Sequence, residues 1–469
     1  MPQTFPERVS VQAFVDAQPL GRYHWRIFTL CALCLVFDGF DAQAMGFVAP
    51  GVRESLHLPA ASLGPIFSAS LVGMLIGALI LGILADRIGR RPVLIAALAF
   101  CGATMIATAG AHSAQQLLAA RFTTGLGLGT LLPTALAMTA EFSPKRYRAT
   151  IVMLMSLGLV SGAVVGGVLA SWLVPAFGWQ AVFLLAGIVS LAGALALLLM
   201  MPESIQFLAA NERAPFERTT RVARALSGDL TLARLNWFSE RAADTHAADG
   251  DVRVSRLFRN GYALTTFSLW LLNFANLLDL YFLSNWLPTL LKEAGLPLRV
   301  AVIASAVLQA GGIPATVLLG FGTRRVALGR LLIGNFIVGA LAMAVIGGVV
   351  NSSVPLLFAA IFVSGFCVVG GQSGVNALGA QCYPAQIRST GMGWASGIGR
   401  FGSVAGPIVG GALLALGWGV RPVFFGAALA GALSVAAVLL LGLGTRLIRA
   451  GGAADVAHAP ASRTPIPPL

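Results

Sequence analysis

The sequence predicts an all-α membrane protein in which twelve transmembrane helices form two bundles of six. Composition is the first reason: 57% of the 469 residues are hydrophobic, 10% are charged, and the mean hydropathy is +0.83. A soluble domain carries about 25% charged residues, so these proportions exclude one. The second reason is that twelve apolar runs recur along the chain, and the third is that its two halves share a glycine motif.

Each apolar run is near or above the roughly 20 residues that a helix needs to cross a bilayer. The runs are 27–50, 63–85, 93–111, 115–140, 148–172, 179–200, 260–290, 299–320, 329–349, 354–381, 389–415 and 421–444. They predict a cytoplasmic arm (1–26), a first bundle (27–200), a cytoplasmic linker (201–259), a second bundle (260–444) and a disordered cytoplasmic tail (445–469). The linker contains nine arginines and eight acids, which predicts a solvated segment with short amphipathic helices.

The basic residues predict the orientation of the helices. With the N-terminus in the cytoplasm, 25 of the 31 lysines and arginines fall in cytoplasmic segments and 4 on the opposite side, while Arg121 and Arg400 lie within apolar runs. Because Lys and Arg are retained on the cytoplasmic side, this bias places both termini inside. The net charge of +13 therefore reflects orientation, and no nucleic-acid partner is expected.

The glycine motif occurs once in each half of the chain. Residues 158–167 read Gly-Leu-Val-Ser-Gly-Ala-Val-Val-Gly-Gly, and residues 402–411 read Gly-Ser-Val-Ala-Gly-Pro-Ile-Val-Gly-Gly. The glycines match at all four places, in the fifth run of each half. Small residues at this spacing let helices pack closely. Two parallel repeats of six helices are typical of a transporter with a site between its bundles.

The first apolar run carries Asp38 and Asp41 at its centre. A charge at that depth is costly unless it is paired, hydrated or neutralised. Residues three apart share a helix face, so both carboxyls are expected to face protein or water. Either the pair locks helices together, or it forms a proton or substrate site; intramembrane acids favour the second interpretation.

Two motifs resemble those of the major facilitator superfamily. The loop at 82–92 reads Gly-Ile-Leu-Ala-Asp-Arg-Ile-Gly-Arg-Arg-Pro, and the fourth run carries Arg121-Phe-Thr-Thr-Gly-Leu-Gly-Leu-Gly. Four further stretches resemble its aromatic acid:proton symporter family. They are Asp-Gly-Phe-Asp (38–41) with Gly-Phe-Val-Ala-Pro (46–50), Tyr-Phe-Leu-Ser-Asn-Trp-Leu-Pro (281–288), Gly-Gln-Ser-Gly-Val-Asn-Ala-Leu (371–378) and Tyr-Pro-Ala-Gln-Ile-Arg-Ser-Thr-Gly-Met-Gly-Trp-Ala-Ser-Gly-Ile-Gly-Arg (383–400).

The resemblance implies the major facilitator fold and a multi-pass transporter in the cell inner membrane. It implies import of an aromatic carboxylate, hydroxybenzoate- or benzoate-like, by symport with protons and alternating access, for aromatic hydrocarbon catabolism. The expected partners are this substrate, protons and the lipid bilayer, for a monomer without cofactor or metal. The alternative is a proton-coupled antiporter of drugs or other organic anions, because 158–167 resembles an antiporter signature, although Ala163 replaces its proline. An enzyme is not expected, because no histidine lies within an apolar run.

One departure from the superfamily pattern narrows the search for proton carriers. The loop at 320–325 lacks the acid of the acidic-basic pair, and no Asp or Glu occurs between Glu293 and Asp455. The last five apolar runs therefore contain neither a carboxyl nor a histidine. Proton coupling is expected in the first half, at Asp38, Asp41 and Arg121.

Depth predicts which of these residues meet. At about 1.5 Å per residue, Asp38 lies roughly 18 Å beyond Arg26, near the midplane, and Arg121 reaches a similar level. A pair between Asp41 and Arg121 would leave Asp38 as the proton-binding group, and the two carboxyls would titrate at different pH. The alternative is that Arg121 only braces the bundle.

Arg400 is the predicted anchor for the substrate carboxylate. It lies roughly 18 Å deep, 12 residues past Arg388, and a buried guanidinium needs an anion. The alternatives are bonds to carbonyls or to Asp279, whose own role is open. The other predicted substrate-binding residues are Gln372, Asn376, Asn273, Asn276, Phe40, Phe47, Tyr281, Trp286 and Trp394. The alternative role of the amides is to brace neighbouring helices, and the alternative role of the aromatic residues is packing.

Charged residues at the cytoplasmic ends of the helices predict a gate. Ion pairs there can break and re-form as the two bundles rock. The predicted gate residues are Asp86, Arg87, Arg90, Arg91, Glu141, Arg148 and Arg388.

Overall fold

In a computed structural model, the structure describes residues 8–210, 216–227, 236–238, 254–259 and 261–457. Twelve helices of 20 to 38 residues occur within these ranges. The first six are α2 (Arg22–Ser55), α3 (Ala60–Ile88), α4 (Arg90–Ala109), α5 (Ala114–Glu141), α6 (Lys145–Phe177) and α7 (Gln180–Met200). The second six are α10 (Tyr262–Glu293), α11 (Leu298–Gly322), α12 (Leu328–Val349), α13 (Val354–Cys382), α14 (Ala385–Ala415) and α15 (Val420–Ala457).

Each predicted apolar run coincides with one of these long helices. By length and composition, 11 helices in the described ranges are apolar enough to cross a membrane. The long helix outside this set is α5, which has two glutamines in its first turn and carries Arg121 and Glu141. The protein is thus a multi-pass helical membrane protein, and the prediction that all twelve helices span stays a prediction.

The two halves repeat the same three helix pairings. In the first half α2 packs on α6, α3 on α5 and α4 on α7; in the second half α10 packs on α14, α11 on α13 and α12 on α15. The glycine motif makes equivalent contacts in both. A Cβ on Gly162 would collide with the Val36 carbonyl of α2, and one on Gly406 with the Leu278 carbonyl of α10. The motif therefore brings the fifth helix of each half against the first, as its spacing predicts.

The halves touch one another at the end away from the linker. There α2 packs on α10, α3 on α14 and α6 on α11. Gly46 of α2 lies against the backbone of Ser284 and Asn285, and Gly64 of α3 lies against Pro407. One hydrophobic cluster at this end includes buried residues of both halves. The two halves are thus closed at the far end.

The linker end carries a small extra layer on the first half. A parallel pair joins β1 (Arg8–Ser10) to β2 (Asn236–Phe238), and three short helices accompany it: α1 (Val11–Ala17), α8 (Ile205–Ala210) and α9 (Phe216–Ser227). Val15, Ala223 and Trp237 are buried in one cluster with residues of α2 and α4. Helices α8 and α9 lie where short helices are predicted in the linker, and linker residues 211–215, 228–235 and 239–253 lie outside the described ranges.

The predicted disordered tail is corrected in part. Helix α15 continues to Ala457, so residues 445–457 are helical, and 458–469 lie outside the described ranges. Alanine is the best helix former, and no proline occurs between Pro422 and Pro460 to end the helix. The apolar run stops at 444 because hydropathy marks the bilayer boundary, not the helix end.

Candidate functional site

A cavity of about 390 Å³ lies between the two halves, halfway along the long helices. This volume lies within the range of about 300–1,000 Å³ that is usual for small-ligand sites. The polar residues that line it are Asp38, Gln43, Ser156, Asn273, Tyr281, Gln309, Gln372, Ser373, Asn376, Ser396 and Arg400. Leucines of α5 and α10 form much of the apolar wall. The cavity thus combines an apolar wall with a few polar groups from both halves.

Asp38 is the acid that lines the cavity. Its side chain is buried, and neither carboxylate oxygen has a hydrogen-bond partner among the described residues. The next residue explains its position: a Cβ on Gly39 would collide with the Leu159 carbonyl of α6. This close approach of α2 to α6 fixes the helix with Asp38 turned to the cavity.

Arg400 faces Asp38 from the second half. It interacts electrostatically with Asp38 and with the Tyr281 hydroxyl. No ion pair within 4 Å joins Arg400 to a carboxylate of the described ranges, Asp279 included. The cavity therefore has a guanidinium on one side and an unpaired carboxyl on the other.

The predicted pair of Asp41 and Arg121 is present. Arg121 Nη1 donates to Asp41 Oδ1 at 2.8 Å, and Nη2 donates to the Asp41 carbonyl at 3.1 Å. Arg121 is fully buried, Asp41 is 2% exposed, and the guanidinium lies 5.6 Å from the centroid of the Phe183 ring. This ion pair lies behind the cavity lining, so it leaves Asp38 as the carboxyl in contact with the cavity.

The predicted amides form a chain along one side of the cavity. Asn276 Nδ2 donates to Gln372 Oε1 at 2.7 Å, and Gln372 Nε2 donates to Asn376 Oδ1 at 3.2 Å. Asn276 is buried behind Gln372, whereas Asn273 lines the cavity and donates to the Leu269 carbonyl at 3.0 Å. Gln372 and Asn376 share a face of α13, as their spacing predicts.

Of the predicted aromatic residues, Tyr281 lines the cavity and four others do not. Phe40, Phe47 and Trp286 are buried in the hydrophobic cluster at the far end. Trp394 is 44% exposed and stacks on Trp270. The helix period explains why Phe40 and Phe47 do not line the cavity. They follow Asp38 by 2 and 9 residues, which places them about 200° and 180° around α2 from it.

The predicted gate residues near the first-half loops make contacts within that half. Arg90 forms an ion pair with Glu141, and its Nη2 lies 3.9 Å from Asp86 Oδ1. Arg148 Nη2 lies 2.9 Å from Asp16 Oδ1 in α1. The first two contacts join α3, α4 and α5, and the third joins α6 to the arm.

The remaining gate residues are separate from that network. Arg91 Nη2 donates to the Leu198 carbonyl at 2.6 Å, and Arg388 Nε donates to the Tyr383 carbonyl at 3.3 Å. Arg87 is exposed at the end of α3. Among the described residues no ion pair joins the two halves at the linker end, so a gate formed by these residues stays a prediction.

The ion pairs that do join the halves lie at the far end, where no gate was predicted. Arg53 pairs with Glu293, and Lys292 Nζ lies 3.5 Å from Glu54 Oε1. The signal was present in the sequence: adjacent opposite charges end the first helix of both halves. Gln309 was also missed; it lines the cavity and donates to Ser284 Oγ at 3.0 Å.

Another buried carboxyl, Asp279, lies outside the site. Asp279 is 2% exposed, its Oδ1 has no hydrogen-bond partner among the described residues, and it does not line the cavity. Within the described ranges no cluster of three His, Cys, Asp or Glu side chains is arranged to hold a metal ion.

These features together define a class of protein. Two similarly packed six-helix halves that meet at one end and enclose a polar cavity halfway along form a two-bundle membrane transporter. The family model of the Major Facilitator Superfamily matches residues 31–351. The chain belongs to this superfamily, and within it to the aromatic acid transporters, which confirms the resemblance of its motifs.

Three relatives support the assignment of the chain to the aromatic acid transporters. The 4-hydroxybenzoate transporter PcaK of Pseudomonas aeruginosa is 39% identical over 93% of this chain and 96% of its own. The gallate transporter of Pseudomonas putida is 35% identical over 89% of this chain and 91% of its own. The benzoate transport protein of Acinetobacter baylyi is 30% identical over 87% of each.

Solved structures show the same fold. A bacterial homologue of the human lysosomal transporter Spinster, inward-facing and occupied, matches with a TM-score of 0.65 and 16% identity. The unoccupied form matches with a TM-score of 0.63 and 17% identity. In each case 94% of this chain and 100% of the other are covered.

Proposed function

We propose that the protein imports an aromatic carboxylate, hydroxybenzoate- or benzoate-like, across the cell inner membrane by symport with protons and alternating access. The observation that carries this proposal is that Arg400 and Asp38 face one ligand-sized cavity from opposite halves. The names of the relatives support the substrate class, because they act on 4-hydroxybenzoate, gallate and benzoate.

The proposed orientation has all twelve long helices spanning the membrane, with the linker and both termini in the cytoplasm. The excess of Lys and Arg on that side supports it. The halves touch at the far end, so the cavity in this conformation opens toward the cytoplasm. Import then requires the far end to part and the linker end to close, with Asp86, Arg388 and the other predicted gate residues forming the inner closure.

Arg400 is the proposed anchor for the substrate. A guanidinium binds a carboxylate through two parallel hydrogen bonds, which fixes the plane of the ligand as well as its charge. The aromatic ring then lies along the leucines of the wall. Gln372 and Asn376 have amide groups that can bind a ring hydroxyl, and Tyr281 stands beside the anchor.

Asp38 is the proposed proton carrier. In the empty cavity its carboxylate is the nearby counter-charge of Arg400. A bound substrate supplies its own carboxylate to Arg400, so Asp38 would remain as an uncompensated buried charge unless it takes a proton. Proton uptake at Asp38 thereby makes the loaded cavity neutral, while Asp41 stays engaged by Arg121.

The experiment is uptake into proteoliposomes of radiolabelled benzoate, hydroxybenzoates and gallate, driven by an acidic exterior. The wild-type protein is expected to accumulate at least one of these acids above equilibrium. Asp38→Asn is expected to lose this accumulation and to retain exchange of labelled for unlabelled substrate, because a neutral asparagine keeps the loaded cavity uncharged without a proton.

Asp279→Asn is the matched control, because it removes another buried carboxyl that does not line the cavity. It is expected to keep the proton-driven accumulation. The assignment is overturned if Asp38→Asn accumulates substrate like wild type, or if both variants lose accumulation equally.

An antiporter of drugs or other organic anions is the second candidate. The glycine motif of α6 favours it, although Ala163 replaces the signature proline. An antiporter would exchange the substrate for protons moving the opposite way. An acidic exterior would then drive loss of preloaded substrate, so the same vesicles distinguish the two functions.

A further inference from the structure

A second cavity, of about 1120 Å³, lies at the linker end of the first half. It is enclosed by the linker-side ends of α2, α3, α4 and α7 together with α8 and α9. Arg26, Arg91, Arg218 and Arg221 line it. It shares no lining residue with the central cavity, so it is a separate candidate site.

The one carboxylate among the described residues that line this cavity is already used. Glu203 Oε1 accepts hydrogen bonds from the main-chain nitrogens of Arg90 at 3.0 Å, Arg91 at 3.1 Å and Ser204 at 2.8 Å. These bonds satisfy the first amides of α4, which have no partner within the helix. Glu203 thus stabilises the start of a helix, and its single negative charge does not balance the four arginines that line the cavity.

The arginines of this cavity retain free hydrogen-bond donors. Arg26, Arg218 and Arg221 are exposed, and no carboxylate of the described ranges forms an ion pair with them. Arg91 gives one bond to the Leu198 carbonyl, while its buried Nε has no partner among the described residues. Four guanidinium groups around one space form a site for a phosphate-type anion.

The opposite wall of the cavity is apolar and exposed. Ile88 is 50% exposed, Leu198 50% and Leu199 75%. They end α3 and α7, whose exposed apolar side chains continue along the bilayer-facing surface. A ligand here meets positive charge on one side and hydrocarbon on the other, so a soluble anion would satisfy only half of the site.

We propose that this cavity binds an anionic phospholipid of the linker-side leaflet, with its phosphate on the arginines and its acyl chains along α3 and α7. Basic pockets at this depth are suited to anionic lipid headgroups. Helix α9 is fixed by its apolar face, since Val222, Ala223 and Leu226 are buried, and Arg218 and Arg221 of the same helix line the cavity. The lipid thereby attaches the linker to the first half.

The test uses the full-length protein, stripped of lipid in detergent and titrated with dioleoylphosphatidylglycerol or the zwitterionic dioleoylphosphatidylethanolamine under native mass spectrometry. The variant is Arg218→Gln with Arg221→Gln, at two exposed positions whose loss should not impair folding. The matched control is Arg324→Gln with Arg325→Gln, which removes the same charge from an exposed loop of the second half.

Wild type and control are expected to bind phosphatidylglycerol in preference to phosphatidylethanolamine. The α9 variant is expected to lose about thirtyfold in phosphatidylglycerol affinity, since each arginine near the surface strengthens attraction to anionic lipid about fivefold. A phosphatidylglycerol with a photoreactive acyl chain should label 88–96 and 198–208 in wild type.

Three results would overturn the proposal. The first is equal affinity of the α9 variant and the control for phosphatidylglycerol. The second is displacement of the lipid by millimolar inorganic phosphate, which would assign the site to a soluble anion. The third is photolabelling spread evenly over the bilayer-facing helices, which would indicate ordinary annular lipid.

Discussion

Neutralising only one partner of the Asp41–Arg121 ion pair should destabilise the protein, and neutralising both should cost less than the sum of the two single losses. The perturbation is a cycle of Asp41→Asn, Arg121→Gln and the double variant. Both side chains are buried. Arg121 Nη1 donates to Asp41 Oδ1 at 2.8 Å, and Nη2 donates to the Asp41 main-chain carbonyl at 3.1 Å. Asp41 Oδ2 and Arg121 Nε have no other partner among the described residues, so each charge depends on the other.

The structure also predicts that the two single variants differ. Removing one partner of a buried ion pair costs about 3–5 kcal/mol, because the remaining charge is uncompensated. Arg121→Gln should lie near the upper end, since it leaves Asp41 without a cation. Asp41→Asn should lie near the lower end, because an asparagine oxygen can still accept from Nη1 and the Phe183 ring stays beneath the guanidinium.

The double variant has a neutral pair at the same place. It should therefore be more stable than the sum of the single losses predicts, with a coupling energy of about 2–3 kcal/mol. The measurement is the free energy of unfolding from SDS titration in mixed micelles. Arg146→Gln, at an exposed arginine of α6, is the control and should change it by less than about 0.5 kcal/mol. Additivity within about 0.5 kcal/mol would refute the coupling.

Two further predictions concern ligand binding and the far-end contact. Arg400→Lys keeps the charge but loses the forked geometry, so titration calorimetry should show binding of the aromatic acid weakened by about 1–3 kcal/mol. Arg400 is not the anchor if the variant binds the acid as tightly as wild type, or if wild type does not prefer the acid to its amide. The Arg53–Glu293 pair is 34% and 27% exposed, so its neutralisation to glutamines should favour parting of the far ends by at most about fivefold. Spin labels in loops 55–59 and 294–297 should report a longer-distance population, and an unchanged distribution would mean that the pair does not hold this end closed.

The sequence predicts the helices well because a membrane span needs a long uninterrupted apolar run. The ends of the helices are less well predicted. Helix α2 begins at Arg22 and ends at Ser55, whereas its apolar run covers 27–50. Hydropathy reports where the bilayer ends, but main-chain hydrogen bonds continue beyond it. Helix α15 shows the same difference at its C-terminus.

The charged part of the site was predictable because charge inside an apolar run is rare. Asp38, Arg121 and Arg400 stand out by that criterion, and the structure places the first and last at one cavity. The aromatic part was not predictable, because nearly a tenth of the chain is Phe, Trp or Tyr. Which of them faces the cavity depends on how each helix is rotated against its neighbours. Trp286, for example, donates to the Pro407 carbonyl at 2.9 Å in the packed far end.

The uneven distribution of acids bears directly on how the halves are coupled. No carboxyl residue occurs from 294 to 454, and Asp279 does not line the cavity. The counter-charge for Arg400 must therefore come across the cavity, from Asp38 or from a bound anion. In the proposed symport, Asp38 balances Arg400 in the empty cavity, and the substrate balances it in the loaded cavity while Asp38 holds a proton. Substrate or proton alone would leave a net charge in a region of low dielectric. We therefore expect the halves to move when the cavity is empty or holds both, which is the condition for net symport.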